Sequence, residues 1–466
     1  MALRFYNTLT QSVADFSPLH DNEVRMYTCG PTVYSYAHIG NLRTFTFEDV
    51  LRRWLRARGY TMNHVMNITD VEDKIIRNAA AQGKSIYEYT DTFYRAFLED
   101  MATLRLQTPE HIVKATDHID DMSAAIEELR RKGYTYASDG SVYYRISKFP
   151  EYGKLSHSDF SGNVAGARVD VDEYEKADAR DFVLWKAKRE GEVSWSEPIG
   201  EGRPGWHIEC SVMAMKYLGE TLDIHAGGVD LIFPHHENEI AQSEAITGKP
   251  FARFWLHAEH LSIDWQKMSK SLGNIYTLRD IVEMGYAPEA LRYLLASVPY
   301  RRKLNFTFEN LDAAKASIER LRNFEWRLRN EKFADGASES ITDRGAKAIT
   351  AFDESLDDDL NTAEALAAIF EYVRDINTAM DAGDMRAGNV AGALNVLDRF
   401  DRVFDVLRPT GKQSGMSDTE IEEKVAERNQ AKKAKQFQRS DELRQELAAA
   451  GVILEDTREG VRWKRK

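Results

Sequence analysis

Apolar positions in residues 41–58 repeat at helical spacing, with Phe47, Val50, Leu51, Trp54 and Leu55 on one face. Gly59 follows as a stop signal. On both sides the period changes. Residues 23–29, EVRMYTC, put Val24, Met26 and Thr28 on one face of a short strand, and 60–69, YTMNHVMNIT, read as another. Strand, helix, strand in this order predicts a βαβ unit with parallel pairing. Two or three helices are expected from there to about Gly133. Asp139-Gly140, between TYAS and SVYYRI, marks a hairpin. Residues 146–200 are rich in turn formers and charge and show weak periodicity, so they read as an insertion. Strand-like runs return at 221–225 and 251–257. From 308 to 407 the pattern is helical, as in Leu366, Ile369, Phe370 and Val373, and Asn361 with Glu364 resembles a capping-box start. PTGKQSGMS at 409–417 reads as a linker. A helix pair, then GVILED and GVRWKRK as a hairpin, follow it.

Composition narrows the picture in three ways. A chain of 466 residues is long enough for two to four domains and a sizeable core. No apolar run approaches the ~18 residues that span a bilayer, and the start MALRFYNTLTQSVADF lacks a basic region followed by an apolar one. A cytoplasmic location is therefore expected. The 2 cysteines, Cys29 and Cys210, cannot build a disulfide framework; they suit buried thiols, a metal site or catalysis. The formal net charge of −13 argues against a protein that coats nucleic acid unspecifically. A nucleic-acid partner would need cations gathered on one face.

Two strings carry candidate chemistry. His38-Ile39-Gly40-Asn41 lies between the first strand and its helix, where α/β sheets bind phosphates. Gly40 would admit a nucleotide to the backbone, and His38 and Asn41 can donate to phosphate oxygens. By itself a histidine at a helix start is more often a local cap or a surface residue. Lys267-Met268-Ser269-Lys270-Ser271, followed by Leu272-Gly273-Asn274, sets two lysines three apart in a serine-bearing loop that can hold a polyphosphate. Gly83-Lys84-Ser85 imitates the end of a phosphate loop, but Asn78 stands where the earlier glycine is needed, and a helix rather than a strand precedes it. A third group is dispersed. His235 and Glu239 are i, i+4 on a helix expected to begin at Pro234, so they face the same way. With Cys29 and Cys210 they make a Cys, Cys, His, Glu set that suits Zn²⁺. Buried thiols beside an ordinary helix remain the other reading.

HIGN and KMSKS together resemble the paired signatures of class I aminoacyl-tRNA synthetases. TCGPTVY at 28–34, NITDVEDKI at 67–75, GRPGWHIECSVM at 202–213, GGVDLIFPHHENEIAQSEA at 227–245 and KMSKSLGN at 267–274 are similar to cysteinyl-tRNA synthetases, as is the closing GVILEDTREGVRWKRK. The resemblance runs from about residue 4 onward. It implies an α/β fold: a Rossmann-type parallel-sheet catalytic domain over 1–120 and 201–250, a connective insertion at 121–200, and a KMSKS-containing stem-contact region at 251–307. A helical bundle at 308–408 for the anticodon stem and a small α+β anticodon-binding unit at 418–466 complete it. The implied activity is ATP-dependent conversion of L-cysteine to cysteinyl-adenylate and its transfer to tRNA(Cys), with Mg²⁺ accompanying ATP.

By the same resemblance, the zinc ligands fall on Cys29, Cys210, His235 and Glu239, with His236 beside them or facing substrate. Cys29 ends the first strand, nine residues before His38, so the metal shares the phosphate crevice. A zinc there can take the substrate thiolate and reject serine, a borderline-soft metal preferring sulfur. No editing activity is expected. Gly227, Gly228 and Asp230 would lie against adenosine, Asp230 on the ribose unless it caps a helix. Thr69 and Trp206 would line the amino-acid pocket, unless Trp206 is core packing. His38, Gly40 and Asn41 would hold ATP phosphates, and Lys267, Ser269 and Lys270 the leaving pyrophosphate. Asn41 departs from the histidine usual in the first signature, and cannot carry a charge. Lys432, Lys433, Lys435, Arg439, Trp463, Lys464 and Arg465 are candidate anticodon contacts, each also readable as a solvated position. A cysteine:amino-sugar ligase of the mycothiol type and a non-catalytic tRNA-binding paralogue are the alternatives. A monomer is expected.

Overall fold

The computed structural model describes residues 2–158, 180–269, 272–409, 416, 418–457 and 460–465, with backbone alone over much of the last hairpin. The chain divides into two units, Met1–Arg408 and Pro409–Lys466.

In the first unit a hairpin of β1 (Arg4–Asn7) and β2 (Ser12–Asp15) precedes β3 (Glu23–Thr28), α1 (Ile39–Ala57) and β4 (Thr61–Ile68). Then come α2 (Asp73–Ala81), α3 (Ile86–Thr103), β5 (His111–Lys114) and α4 (Ile119–Arg131). Next are β6 (Thr135–Ser138), β7 (Ser141–Tyr144), β8 (Phe182–Ala187), β9 (Trp195–Glu197) and β10 (Gly200–Pro204). The chain returns through α5 (Trp206–Leu218), β11 (Leu222–Gly228), α6 (Glu237–Thr247) and β12 (Ala252–Ala258). The central sheet has the order β12-β11-β3-β4-β5, and every neighbouring pair is parallel. Helices on both faces leave β11 wholly buried, which is why its sequence does not alternate.

Two parts of the expectation change. HIVK is not part of a run of helices; it is β5, an edge strand beside β4, too short to display a period. The insertion is not loop-rich throughout. Its described residues form an antiparallel sheet in the order β6-β7-β8-β10-β9. β8, FVLWKA, is buried along almost its whole length, so it lacks the alternation that betrays a half-exposed strand. The Asp139-Gly140 turn joins β6 to β7, both residues at positive φ, 47° and 76°. Ser85 of the false phosphate loop caps α3 reciprocally with Glu88.

A small sheet follows, made of β13 (Leu261–Ile263), β14 (Gln266–Lys267) and, after α7 (Leu278–Glu283) and α8 (Pro288–Ser297), β15 (Leu304–Phe306). Four helices complete the unit: α9 (Phe308–Asn330), α10 (Glu339–Asp357), α11 (Thr362–Asp381) and α12 (Val390–Phe404). Asn361 caps α11 by accepting from the Glu364 amide, one half of the expected capping box. The bundle is bound to α1 by buried charge. Asp49 takes Arg53 at 2.8 Å and Arg292 at 2.5 Å, and Arg53 reaches Asp405 at 3.0 Å. Burial alone would raise the Asp49 carboxyl; Arg292 and Arg53 outweigh it and hold the group below its ordinary value. Arg292 also donates to the Phe404 carbonyl at the end of α12. The helix whose first turn carries HIGN is thereby locked to the bundle through its second half.

The second unit contains α13 (Asp418–Lys433), α14 (Phe437–Ala449) and the antiparallel hairpin β16 (Val452–Thr457) and β17 (Gly460–Arg465). Its core gathers Ile421, Val425, Leu447 and Val452. Among the described residues no helix is long and apolar enough to cross a membrane.

Candidate active site

From β3 the chain moves one way to β4 and β5, whereas β11 and β12 lie on the other side of β3. The strand order reverses between β3 and β11, and the crevice beyond their carboxyl ends is where open α/β sheets hold ligands. Cys29 follows β3, Thr69 follows β4, and Gly227-Gly228 ends β11, so three separate motifs reach one rim.

His38 is the N-cap of α1. Its Nδ1 accepts from the Asn41 amide at 3.2 Å, and the His38 amide donates to Asn41 Oδ1 at 3.2 Å. The two residues form a reciprocal cap, so Asn41 spends its carbonyl on the helix end rather than on a ligand. The cap fixes the ring: with Nδ1 accepting, the proton resides on Nε2, which is a donor. Burial lowers the His38 pKa and keeps the imidazole neutral. The Ile39 amide donates to the Tyr276 carbonyl at 2.9 Å. A methyl placed on Gly40 would collide with Met268 Cε. The two signatures, over two hundred residues apart, are therefore in contact.

The four dispersed donors converge. Cys29, Cys210, His235 and Glu239 are all buried, with one ligand atom each inside a 4.8 Å span. Cys29 Sγ is 3.9 Å from Cys210 Sγ and 3.9 Å from Glu239 Oε1, and His235 Nε2 is 3.1 Å from Glu239 Oε1. Two thiolates on one tetrahedral zinc, with bonds of about 2.3 Å, sit about 3.8 Å apart, so the spacing fits that ion. As expected, the helical backbone that carries His235 starts at Pro234, directly after the non-helical Phe233. The wide turn over Ile232–His236 is kinked at Phe233 and from Pro234 runs without a break into α6 at Glu237. The i, i+4 pair meets because His235 and Glu239 lie on that one continuous helical stretch.

Three further histidines surround the set. His207 Nδ1 is 2.8 Å from His235 Nδ1, His225 Nε2 is 2.8 Å from Glu239 Oε2, and His257 Nε2 is 2.8 Å from His236 Nδ1. His236 Nε2 also lies 3.3 Å from Cys29 Sγ. Cys29, His225, His236 and Glu239 consequently form a second possible quartet. The first offers two thiolates, the better match for zinc. Burial, and next the neighbouring Cys210, push the Cys29 thiol up; burial raises Glu239 and lowers His235. These protein groups are charge-starved, and a divalent cation would reverse that by stabilising thiolate and carboxylate.

Thr69 is buried, donates to Glu209 Oε2 at 2.9 Å and receives Asn67 Nδ2 at 3.3 Å. Trp206 is half-buried at the start of α5 and stacks on His235, centroids 4.2 Å apart. It packs, but against the metal cluster rather than the general core. Asp230 is exposed in a short helical turn after Gly228. Lys267 is exposed on β14, and Ser269 begins a turn pinned by Asn274, whose Oδ1 takes the Ser269 amide at 2.9 Å and whose Nδ2 donates to the Lys267 carbonyl at 3.3 Å. Lys270 lies outside the described residues. In the second unit Lys432 and Lys433 end α13 and Lys435 follows at positive φ. Arg439 is held by Glu427, Glu442 and Glu446, and Trp463 packs on the small core, so neither is a free contact. The side chains of Lys464 and Arg465, and the linker residues 410–415 and 417, lie outside the described residues.

The parallel sheet order, the His38–Asn41 helix cap and the lysine loop match the class I aminoacyl-tRNA synthetase architecture. Residues 15–316 match the family of tRNA synthetases class I (C) catalytic domain, and 351–408 match the DALR domain. The solved methionyl-tRNA synthetase of Mycobacterium tuberculosis in complex with methionyl-adenylate has the same fold. Its TM-score is 0.60 at 14% identity, over 83% of this chain and 89% of that one. Curated relatives are closer. The cysteine--tRNA ligase of Solibacter usitatus is 66% identical over 100% of both chains, and that of Koribacter versatilis 54% identical over 100% of both. That of Leptospira interrogans is 48% identical over 100% of this chain and 99% of its own. The chain belongs to the cysteine--tRNA ligase family and is an enzyme.

Proposed function

We propose that this chain joins L-cysteine to ATP and passes it to tRNA(Cys). The cysteine carboxylate attacks the α-phosphate, pyrophosphate leaves, and a terminal ribose hydroxyl of tRNA then takes the acyl group from cysteinyl-adenylate, releasing AMP. No enzyme nucleophile is required; catalysis is positioning plus charge stabilisation. The observation that carries the reading is the buried convergence of Cys29, Cys210, His235 and Glu239 on the rim where HIGN and KMSKS meet.

Each side chain has a part. His38 Nε2–H donates to phosphate, and Asn41 holds His38 in that tautomer. Gly40, Gly227 and Gly228 let the nucleotide approach the backbone, and Asp230 binds the ribose. Lys267, Ser269 and Lys270 draw off the pyrophosphate charge, which Mg²⁺ shares. Thr69 and Trp206 flank the amino acid. Zn²⁺ on the two thiolates, His235 and Glu239 would supply a soft Lewis acid that favours the cysteine sulfur over the serine oxygen.

The test is exchange of labelled pyrophosphate into ATP, driven by cysteine or serine, before and after chelation, with metal content measured. One zinc per chain, and cysteine preferred by ~10⁴ or more, are expected, since a site that bonds one specific group rejects its isostere that strongly. Undiminished cysteine-driven exchange in metal-free protein would end the zinc reading.

A further inference from the structure

The turn between β13 and β14 holds two residues, Asp264 and Trp265, because Ile263 pairs directly with Gln266. Both are left-handed, at φ 48° and 62°. Two-residue turns of this hand favour Asn-Gly or Asp-Gly, since glycine lacks the Cβ that clashes there. Tryptophan carries that penalty and recovers nothing by burial: its side chain is 79% exposed, the highest value among the large apolar side chains described. Nor is the turn loose. The Trp265 amide donates to Asn305 Oδ1 at 2.6 Å, Ser262 Oγ reaches the same oxygen at 3.2 Å, and the Asp264 amide donates to the Phe306 carbonyl at 3.2 Å. The backbone that carries the indole is pinned, and the ring stands in water.

Its surroundings indicate what it meets. Lys267 stands two residues on, and Arg302 and Lys303 precede β15 of the same sheet. All three are exposed and form no ion pair among the described residues. On a chain of net charge −13, the unpaired Lys267 beside an unused aromatic, with Arg302 and Lys303 at the far end of β15 from the turn, complements phosphates and a base together. The tRNA end must reach the crevice served by the Lys267 loop, and its last nucleotides are unpaired, with open ring faces.

We propose that Trp265 stacks on an unpaired nucleotide at the acceptor end of the tRNA. The proposal rests on the reading of the Lys267 loop given above.

Trp265→Gly, Trp265→Ala and Trp265→Phe separate the possibilities, with pyrophosphate exchange measured without tRNA and charging measured with it. Exchange should stay within about twofold of wild type in all three. The charging KM for tRNA should rise about tenfold or more in the glycine and alanine variants, the loss of one base–aromatic stack, and far less in the phenylalanine variant. Trp265→Gly should melt no lower than wild type, because glycine suits the turn; lost charging then cannot be lost folding. A tRNA trimmed of its unpaired 3′ nucleotides should bind wild type and Trp265→Ala equally. Wild-type charging KM in every variant would overturn the proposal. So would a parallel fall in exchange, which would assign the indole to the lysine loop, or an equal loss of affinity for trimmed tRNA, which would move the stack elsewhere. Lys267→Ala, run alongside, isolates the underlying reading: unchanged exchange there would refute the loop assignment while leaving the charging comparison intact.

Discussion

The cluster around Glu239 and the loop around Lys267 share a crevice and are built in opposite ways. The first draws single side chains from the end of β3, from α5, from the turn before α6 and from α6 itself, and buries them all. The second draws neighbours from one stretch of chain, leaves Lys267 in water, and is pinned by Asn274 and Asn305. A water-free set of fixed donors acts at short range and discriminates between substrates by the bond it makes. An exposed lysine is a screened point charge that can engage phosphate and release it. On the function proposed above, the contrast separates choosing the amino acid from handling the leaving group.

Cys210→Ser tests the contrast most severely. It removes a soft donor from the buried set, so zinc content should fall well below one per chain. The cysteine KM in exchange should rise by ~10³ or more, approaching the discrimination a bond-making site provides, while the ATP KM stays near wild type. An equal rise in both constants would show that the two regions are not separable. Lys267→Ala should do the reverse. Removing one charge stabiliser costs about 10²–10³ in kcat, and here the cysteine KM and the zinc content should be unaltered. Exchange kinetics with each substrate varied in turn distinguish the two patterns.

The lysine loop could be read directly because its chemistry is contiguous in sequence. The donors Cys29, Cys210, His235 and Glu239 could be grouped because thiols are scarce and His235 and Glu239 are four apart. The supporting histidines had no such handle. His225 and His257 are lone residues in β11 and β12, and His207, in the first turn of α5, lies 28 positions from His235, so only the tertiary fold brings them together. A usable signal existed for one of them: His257 falls near the carboxyl end of β12, the ligand-facing rim of such a sheet, whereas His225 is in mid-strand. His38 and Asn41 were legible as polar residues at a helix start, but their mutual cap depends on backbone geometry. β8 escaped notice for a different reason, since burial on both faces erases the period by which strands are found.

His225→Ala is the mildest of these tests and the one that sharpens the buried side most. His225 meets Glu239 at 2.8 Å, and its ring lies on Trp255 with centroids 4.5 Å apart. Burial holds it down to about 3, so at neutral pH it is uncharged, and its Nε2–H would donate to the carboxylate of a metal-bound Glu239. Groups that orient metal ligands in this way typically contribute 10–100-fold to metal affinity. Zinc should therefore be lost to a competing chelator about 10–100 times more readily from His225→Ala, with serine still rejected by whatever metal remains. His225→Gln retains an N–H donor and should recover part of the loss. If alanine abolished zinc binding as completely as Cys210→Ser, His225 would itself be a ligand, and the quartet of Cys29, His225, His236 and Glu239 would displace the one preferred above. If it changed nothing, Glu239 would be held by its own helix and by His235 alone.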